Sequence, residues 1–150
     1  MRPSSSQPVL DPVRPVFRAI AATVVPEAAR LGEAEWSELE GSVEKAVAER
    51  PPKMRRQLRL LIRTLELLPV FRYGRRFSRL DAAARRRFLE KIQDSPILLL
   101  RRGFWGLRTL VLLGYYTRAA AAGEIGYAAD PRGWDAWRER RETHGQEAQP

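Results

Sequence analysis

The stretch GFWGLRTLVLLGYY, Gly103–Tyr116, combines four aromatic residues with a run of leucine and valine. Its bulky apolar side chains recur every three or four residues, as in a helix, and cover more than a narrow stripe. Arg108 lies inside the stretch, and Arg101 and Arg102 lie just before it. An arginine near the centre of a membrane span costs about 2.5 to 3.5 kcal/mol, so a span is not expected. The pattern predicts a helix over about 96–117 that is the central core helix or that partly faces a partner.

Three further helical segments precede this region. Asp11 and Pro12 form a cap and first turn for the first helix, which ends near Pro26. The second segment, GEAEWSELEGSVEKAVAER, has acidic residues near its start, where the helix dipole favours them. The third segment, KMRRQLRLLIRTLELLPVF, is amphipathic and ends at Pro69. The predicted apolar face of the third helix consists of Met54, Leu58, Leu61, Ile62, Leu65 and Leu68.

Two cap patterns predict where the next helices begin. Ser78 and Asp81 are spaced as a capping box for a fourth helix. Ser95 and Pro96 are typical of the cap and first turn of the central helix.

The pattern of the whole chain predicts an all-α fold, a compact single-domain bundle of about five to seven helices. Beyond the central helix we expect a short alanine-rich helix, an irregular loop and a last charged helix beginning near Trp134 and Trp137. No alternation of strand period persists long enough to predict a sheet. The expected organisation is a disordered segment over 1–10, a helical domain over 11–142 and a disordered tail over 143–150.

The net charge of +9 is concentrated in one segment, because residues 50–87 contain thirteen basic and two acidic residues. Such a segment can be a solvated helix face, a docking surface for an acidic protein or an anionic bilayer, or a basic helical nucleic-acid-binding module. Nucleic acid is the less favoured partner because no recognition helix or aromatic platform is visible. The candidate docking residues are Arg55, Arg56, Arg59, Arg63, Arg72, Arg75, Arg76 and Arg79.

The sequence offers few groups for catalysis. It contains no cysteine, which excludes thiolate nucleophiles and thiolate metal sites, and its one histidine, His144, lies in the predicted tail. Neither GFWG nor GEIG has the strand–loop–helix context of a phosphate loop. We therefore expect no autonomous enzyme, and no catalytic residue, cofactor or metal in this chain.

Four parts of the sequence carry a family resemblance: FRAIAATVVPEA, LLPVF, FSRLDAAARRRFLEKIQDSP, and FWGLRTLVLLGYY followed by EIGYAADPRGW. Together they resemble the gluconate 2-dehydrogenase subunit 3 family, over about residues 15–134. The most specific part is the pair Tyr115 and Tyr116, spaced before Ile125, Gly126 and Tyr127.

This resemblance implies a non-catalytic accessory subunit of an oxidoreductase complex. Its expected partner is a large FAD-dependent alcohol or sugar dehydrogenase of the glucose–methanol–choline type, which would contain the flavin. Many family members begin with a twin-arginine signal, whereas residues 1–10 show none. We expect a cytoplasmic complex or one peripheral to the membrane, with export only through a partner's signal. The candidate partner-interface residues are Phe104, Trp105, Leu107, Val111, Tyr115, Tyr116, Ile125, Gly126 and Tyr127.

Overall fold

The computed structural model describes residues 7–118, which consist of helices and turns. The all-α class predicted from the sequence is confirmed. The alanine-rich helix, the last charged helix, the tail over 143–150 and the end of the predicted domain over 11–142 lie outside the described residues. The α-helices are α1 (Arg14–Val24), α2 (Glu33–Ala48), α3 (Pro52–Leu67), α4 (Val70–Tyr73), α5 (Ala82–Gln93) and α6 (Leu98–Tyr116), with 3-10 turns at Asp11–Val13, Pro26–Arg30 and Phe77–Arg79.

Helix α6 is the central element of the described residues, because it contacts α1, α2, α3 and α5. Its inward side chains Phe104, Leu107 and Val111 have exposed fractions of 2%, 1% and 0%. Of the two alternatives that the sequence leaves open, the inner side of α6 fits a central core helix, while the partner-facing alternative concerns its outer side. Within residues 7–118, no helix combines the length and the apolar character that crossing a bilayer requires.

Helices α2 and α6 approach each other closely at Gly114. A Cβ atom placed on Gly114 would lie 2.9 Å from the backbone oxygen of Leu39 and 2.9 Å from Cγ2 of Val43. Both distances are shorter than an ordinary van der Waals contact. The oxygen belongs to a helix backbone, which has no rotamer with which to move away. Glycine at this position therefore sets the distance between the two helices.

The helices α5 and α6 begin differently from the capping patterns predicted for them. Asp81 alone caps α5, since its carboxylate accepts from the backbone N–H of Ala84 at 2.8 Å. The predicted partner Ser78 instead donates its backbone N–H and its hydroxyl to the carboxylate of Glu66 on α3. Helix α6 begins at Leu98, two residues after the proline predicted to start it, and no side chain caps it.

The ordered part of the chain begins before residue 11, the position that the sequence predicts. Val9 and Leu10 are buried, although disorder is expected over 1–10. The carboxylate of Glu44 on α2 accepts the backbone N–H groups of Val9 and Leu10 at 2.9 and 2.6 Å. Nε of Arg59 on α3 donates to the backbone oxygen of Val9 at 3.1 Å. Two charged side chains thus attach this segment to the bundle through its backbone, a contact that hydropathy does not reveal.

Replacing Gly114 with alanine is expected to destabilise the fold. Overpacking a well-filled core costs about 1 to 3 kcal/mol, which exceeds the gain of up to about 1 kcal/mol that alanine brings to a helix. The free energy of unfolding, measured by urea titration of the circular dichroism signal, should therefore fall.

Gly106→Ala is the matched control, because Gly106 is in the same helix and a Cβ atom there meets nothing within 4 Å. This change should raise the free energy of unfolding slightly. Equal effects of the two substitutions would contradict the close packing of α2 against α6 at Gly114.

Candidate interaction site

The predicted interface residues of α6 separate into an inner and an outer group. Phe104, Leu107, Val111 and Tyr115 are buried, with at most 6% of each exposed. These four belong to the core of the chain itself rather than to a surface open to a partner. The side chains of Trp105 and Tyr116 are 46% and 48% exposed, whereas Ile125, Gly126 and Tyr127 lie outside the described residues.

An exposed and largely apolar stripe runs along the whole of α6. Its members follow one another at intervals of three or four residues, which places them on one side of a helix. Leu98 and Leu113 are 47% and 45% exposed, and both are absent from the residues predicted by family resemblance. The signal that identifies them is their helical spacing from Trp105. We call this stripe the outer α6 face, and it consists of Leu98, Arg102, Trp105, Thr109, Leu113 and Tyr116.

The Trp105 ring is supported from one side by Arg108. The guanidinium carbon of Arg108 lies 5.2 Å from the centroid of the indole ring. The same guanidinium donates from Nη1 to Oε1 of Gln93 on α5 at 3.2 Å. Because Arg108 lies between α5 and the ring, the exposed indole has less freedom to lose on binding.

Tyr116 rests on a series of contacts that ends on α2. Its ring packs edge-on against Tyr115, with centroids 5.3 Å apart. The guanidinium of Arg118 lies 4.3 Å from the Tyr115 ring centroid and donates to the carboxylate of Glu35 at 2.9 Å. Nε of Arg118 also donates to the backbone oxygen of Tyr115 at 3.1 Å. The end of α6 is therefore oriented from behind by a buried arginine.

The predicted basic docking residues do not all face the same way. Arg59 is half-buried and binds the N-terminal segment, and Arg55 is also half-buried. Arg56 and Arg63 point outward from α3. The other four, Arg72 of α4, Arg75 and Arg76 after it, and Arg79 of the next 3-10 turn, are exposed.

The outward side of α3 mixes arginine with large apolar side chains. Leu60 and Leu67 are 66% and 51% exposed, and the predicted core residue Met54 is 48% exposed. Of the predicted apolar face, Ile62 and Leu65 are fully buried. We call the exposed stripe the outer α3 face, and it consists of Lys53, Arg56, Leu60, Arg63 and Leu67, again spaced by three or four residues.

Several carboxylates of the described residues serve as partners of arginines. Glu40 is 7% exposed, accepts a hydrogen bond from Nε of Arg18 at 2.6 Å and forms an ion pair with Nε of Arg14 at 3.1 Å. Hydrogen bonds from Arg18, together with its positive charge, lower the pKa of Glu33. A general acid at neutral pH needs the opposite shift. Within residues 7–118, no group of three or more histidine, cysteine, aspartate or glutamate side chains could bind a metal ion, and His144 lies outside this range.

The sequence of residues 14–136 matches the family described as gluconate 2-dehydrogenase subunit 3. The match begins at the first residue of α1 and includes all the helices from α1 to α6. It confirms the resemblance carried by the sequence motifs. No curated protein sequence and no solved structure shows a significant match to the chain.

Replacing Arg118 with glutamine is expected to lower the free energy of unfolding by about 2 kcal/mol. Glutamine can neither stack on Tyr115 as a cation nor neutralise Glu35. The cost should stay below that of breaking a fully buried pair, because the side chain of Glu35 is 40% exposed and water can reach it. Urea denaturation measures the change.

Arg102→Gln serves as the control, because Arg102 is exposed on the outer α6 face and surface substitutions usually change stability by less than about 0.5 kcal/mol. If both variants unfold at the same urea concentration, Arg118 does not support the end of α6 as its contacts indicate.

Proposed function

Because the chain belongs to the gluconate 2-dehydrogenase subunit 3 family, we propose that it is a non-catalytic accessory subunit. Its partner is a FAD-dependent alcohol or sugar dehydrogenase of the glucose–methanol–choline type. The large subunit contains the flavin and oxidises the substrate, and this chain binds and stabilises it. The family description supports the coarser part of this proposal, membership of a multi-subunit dehydrogenase complex.

The outer α6 face is the observation that carries the proposal. Tryptophan and tyrosine are favoured as interface anchors because they bury a large area with few rotatable bonds. Trp105 and Tyr116 are both about half exposed, and both are supported from behind by aromatic or cation–π contacts. Supported anchors lose less conformational entropy when a partner covers them. The single charge on this face, Arg102, belongs to a residue type that is enriched in interfaces.

The size of α6 sets a lower bound on the interface. The helix has 19 residues, which corresponds to a length of about 28 Å at about 1.5 Å per residue. With a helix diameter of about 10 Å, one side of it offers a few hundred Å², less than the roughly 800 Å² per partner of a standard interface. The contact with the large subunit should therefore extend from α6 onto neighbouring parts of the chain.

The effect on the large subunit follows from mass action. A subunit that binds the native partner and not the unfolded one stabilises it by about 2.7 kcal/mol when its concentration is one hundred times the dissociation constant. Stabilising the partner in this way does not require any residue of this chain to lie near the hydroxyl group that the large subunit oxidises. It requires a surface that the folded partner covers, which the outer α6 face offers.

Removing the two central apolar anchors of the outer α6 face should separate the complex. We expect the double variant Trp105→Ala/Leu113→Ala to bind the large subunit roughly tenfold or more weakly, because truncation of an anchor typically costs about 2 kcal/mol or more. The measurement is co-purification of the tagged full chain from its native cell. Mass spectrometry gives the ratio of the subunits, and visible absorbance gives the flavin content.

The matched control is Leu60→Ala/Leu67→Ala, which removes two exposed side chains from the outer α3 face. A flavoprotein recovered in stoichiometric amount with the wild type and this control, but lost with the α6 variant, supports the proposal. It would be refuted by an eluate of the wild-type chain without a flavoprotein, or by a complex that the α6 substitutions leave intact.

A further inference from the structure

The outer α3 face continues past the end of its helix. Leu68 and Pro69 keep right-handed helical dihedral angles between α3 and α4. Phe71 therefore follows Leu67 at the spacing of one helical turn. Its side chain is 91% exposed, the largest exposed fraction among the large apolar residues of the described range. Leu60, Leu67 and Phe71 thus form a line of outward apolar side chains about three turns long.

Basic residues alternate with this apolar line. Lys53 and Arg56 precede Leu60, and Arg63 lies between the two leucines. Between residues 50 and 80 the only acidic residue is Glu66, whose carboxylate is already bonded to Ser78. Within residues 7–118, neither Arg56 nor Arg63 forms an ion pair with a carboxylate.

We propose that the outer α3 face, extended to Phe71, docks the protein onto the surface of an anionic lipid bilayer. In this arrangement α3 lies parallel to the membrane plane. Phe71, Leu67 and Leu60 enter the boundary between headgroups and acyl chains, and Arg56 and Arg63 bind lipid phosphates. This docking is independent of the proposed binding to a flavoprotein, which uses α6.

The alternation of charge and apolar side chains favours a bilayer over a protein partner. Protein interfaces are enriched in arginine but depleted of lysine. The outer α3 face contains Lys53 beside its two arginines, whereas the outer α6 face contains one arginine and no lysine. At a bilayer surface the two residue types separate by depth, because long basic side chains reach the headgroups while apolar side chains lie below them. The net positive charge of the segment adds attraction to anionic lipid.

Nucleic acid fits the same surface less well. Phosphate contacts would use the arginines, but leucine offers neither a hydrogen bond nor a ring for stacking on bases. Two of the three exposed apolar side chains would therefore gain nothing from a nucleic acid. A bilayer uses all three.

Sedimentation of the full chain with vesicles tests the proposal. One set of vesicles contains phosphatidylcholine alone, and the other contains equal amounts of phosphatidylcholine and phosphatidylglycerol. Binding is expected only to the second set and should weaken as salt screens the arginines. Arg56→Gln/Arg63→Gln should lower the partition coefficient roughly tenfold or more, and Leu67→Asn/Phe71→Asn should lower it by a similar factor.

Each pair of substitutions has a matched control elsewhere on the surface. Arg86→Gln/Arg87→Gln removes two exposed arginines from α5, and Trp105→Asn/Leu113→Asn removes one exposed aromatic and one exposed leucine from α6. Both controls should bind anionic vesicles like the wild type. Circular dichroism melting confirms that every variant is folded.

Three outcomes would overturn the proposal. The first is that anionic vesicles do not sediment the wild-type chain. In the second, the control pairs weaken binding as much as the α3 pairs, which indicates a nonspecific effect of total charge or hydrophobicity. In the third, the α3 substitutions release the flavoprotein or a nucleic acid and leave vesicle binding unchanged. The accessory role is tested separately by co-purification. If the α6 control Trp105→Asn/Leu113→Asn loses the flavoprotein but still binds vesicles, the two proposals stand independently.

Discussion

The close contact between α2 and α6 at Gly114 fixes the position of the central helix in the described structure. Because no side chain separates the two backbones there, α6 lies deep enough to contact four other helices. Its inner face is filled by Phe104, Leu107 and Val111. On the opposite side of the helix, Trp105 and Leu113 remain about half exposed within the part of the chain that the structure describes. Core and candidate interface are therefore two faces of one helix.

Sequence reasoning was most accurate where one residue type determines the local structure, and less accurate where a distant residue intervenes. Pro26 and Pro69 lie two residues after the last residues of α1 and α3, because proline acts through its own backbone. Ser78 has the spacing of a capping residue but binds Glu66, which is twelve positions earlier. The order of Val9 and Leu10 depends on Glu44 and is equally invisible in local patterns.

The candidate sites illustrate the same limit. The family motif predicted the aromatic residues of α6 as interface candidates. Only the packing shows that Tyr115 belongs to the core and Tyr116 to the exposed face. Likewise, a segment with thirteen basic residues suggests one large positive surface. In the structure, Arg59 binds backbone, and Arg85 donates to the backbone oxygens of Phe77 and Ser78. Fewer guanidinium groups are free to contact a ligand than the sequence count suggests.

The pairing of Arg118 with Glu35 also bears on the order in which the structure forms. These residues are separated by 83 positions, so their contact closes about three quarters of the described chain. A contact between such distant positions incurs a large loop-closure entropy and becomes favourable only after the intervening helices have packed. We therefore expect it to be absent from the folding transition state and to act mainly by slowing unfolding. For the proposed accessory subunit, such a contact extends the lifetime of the native state more than it accelerates folding.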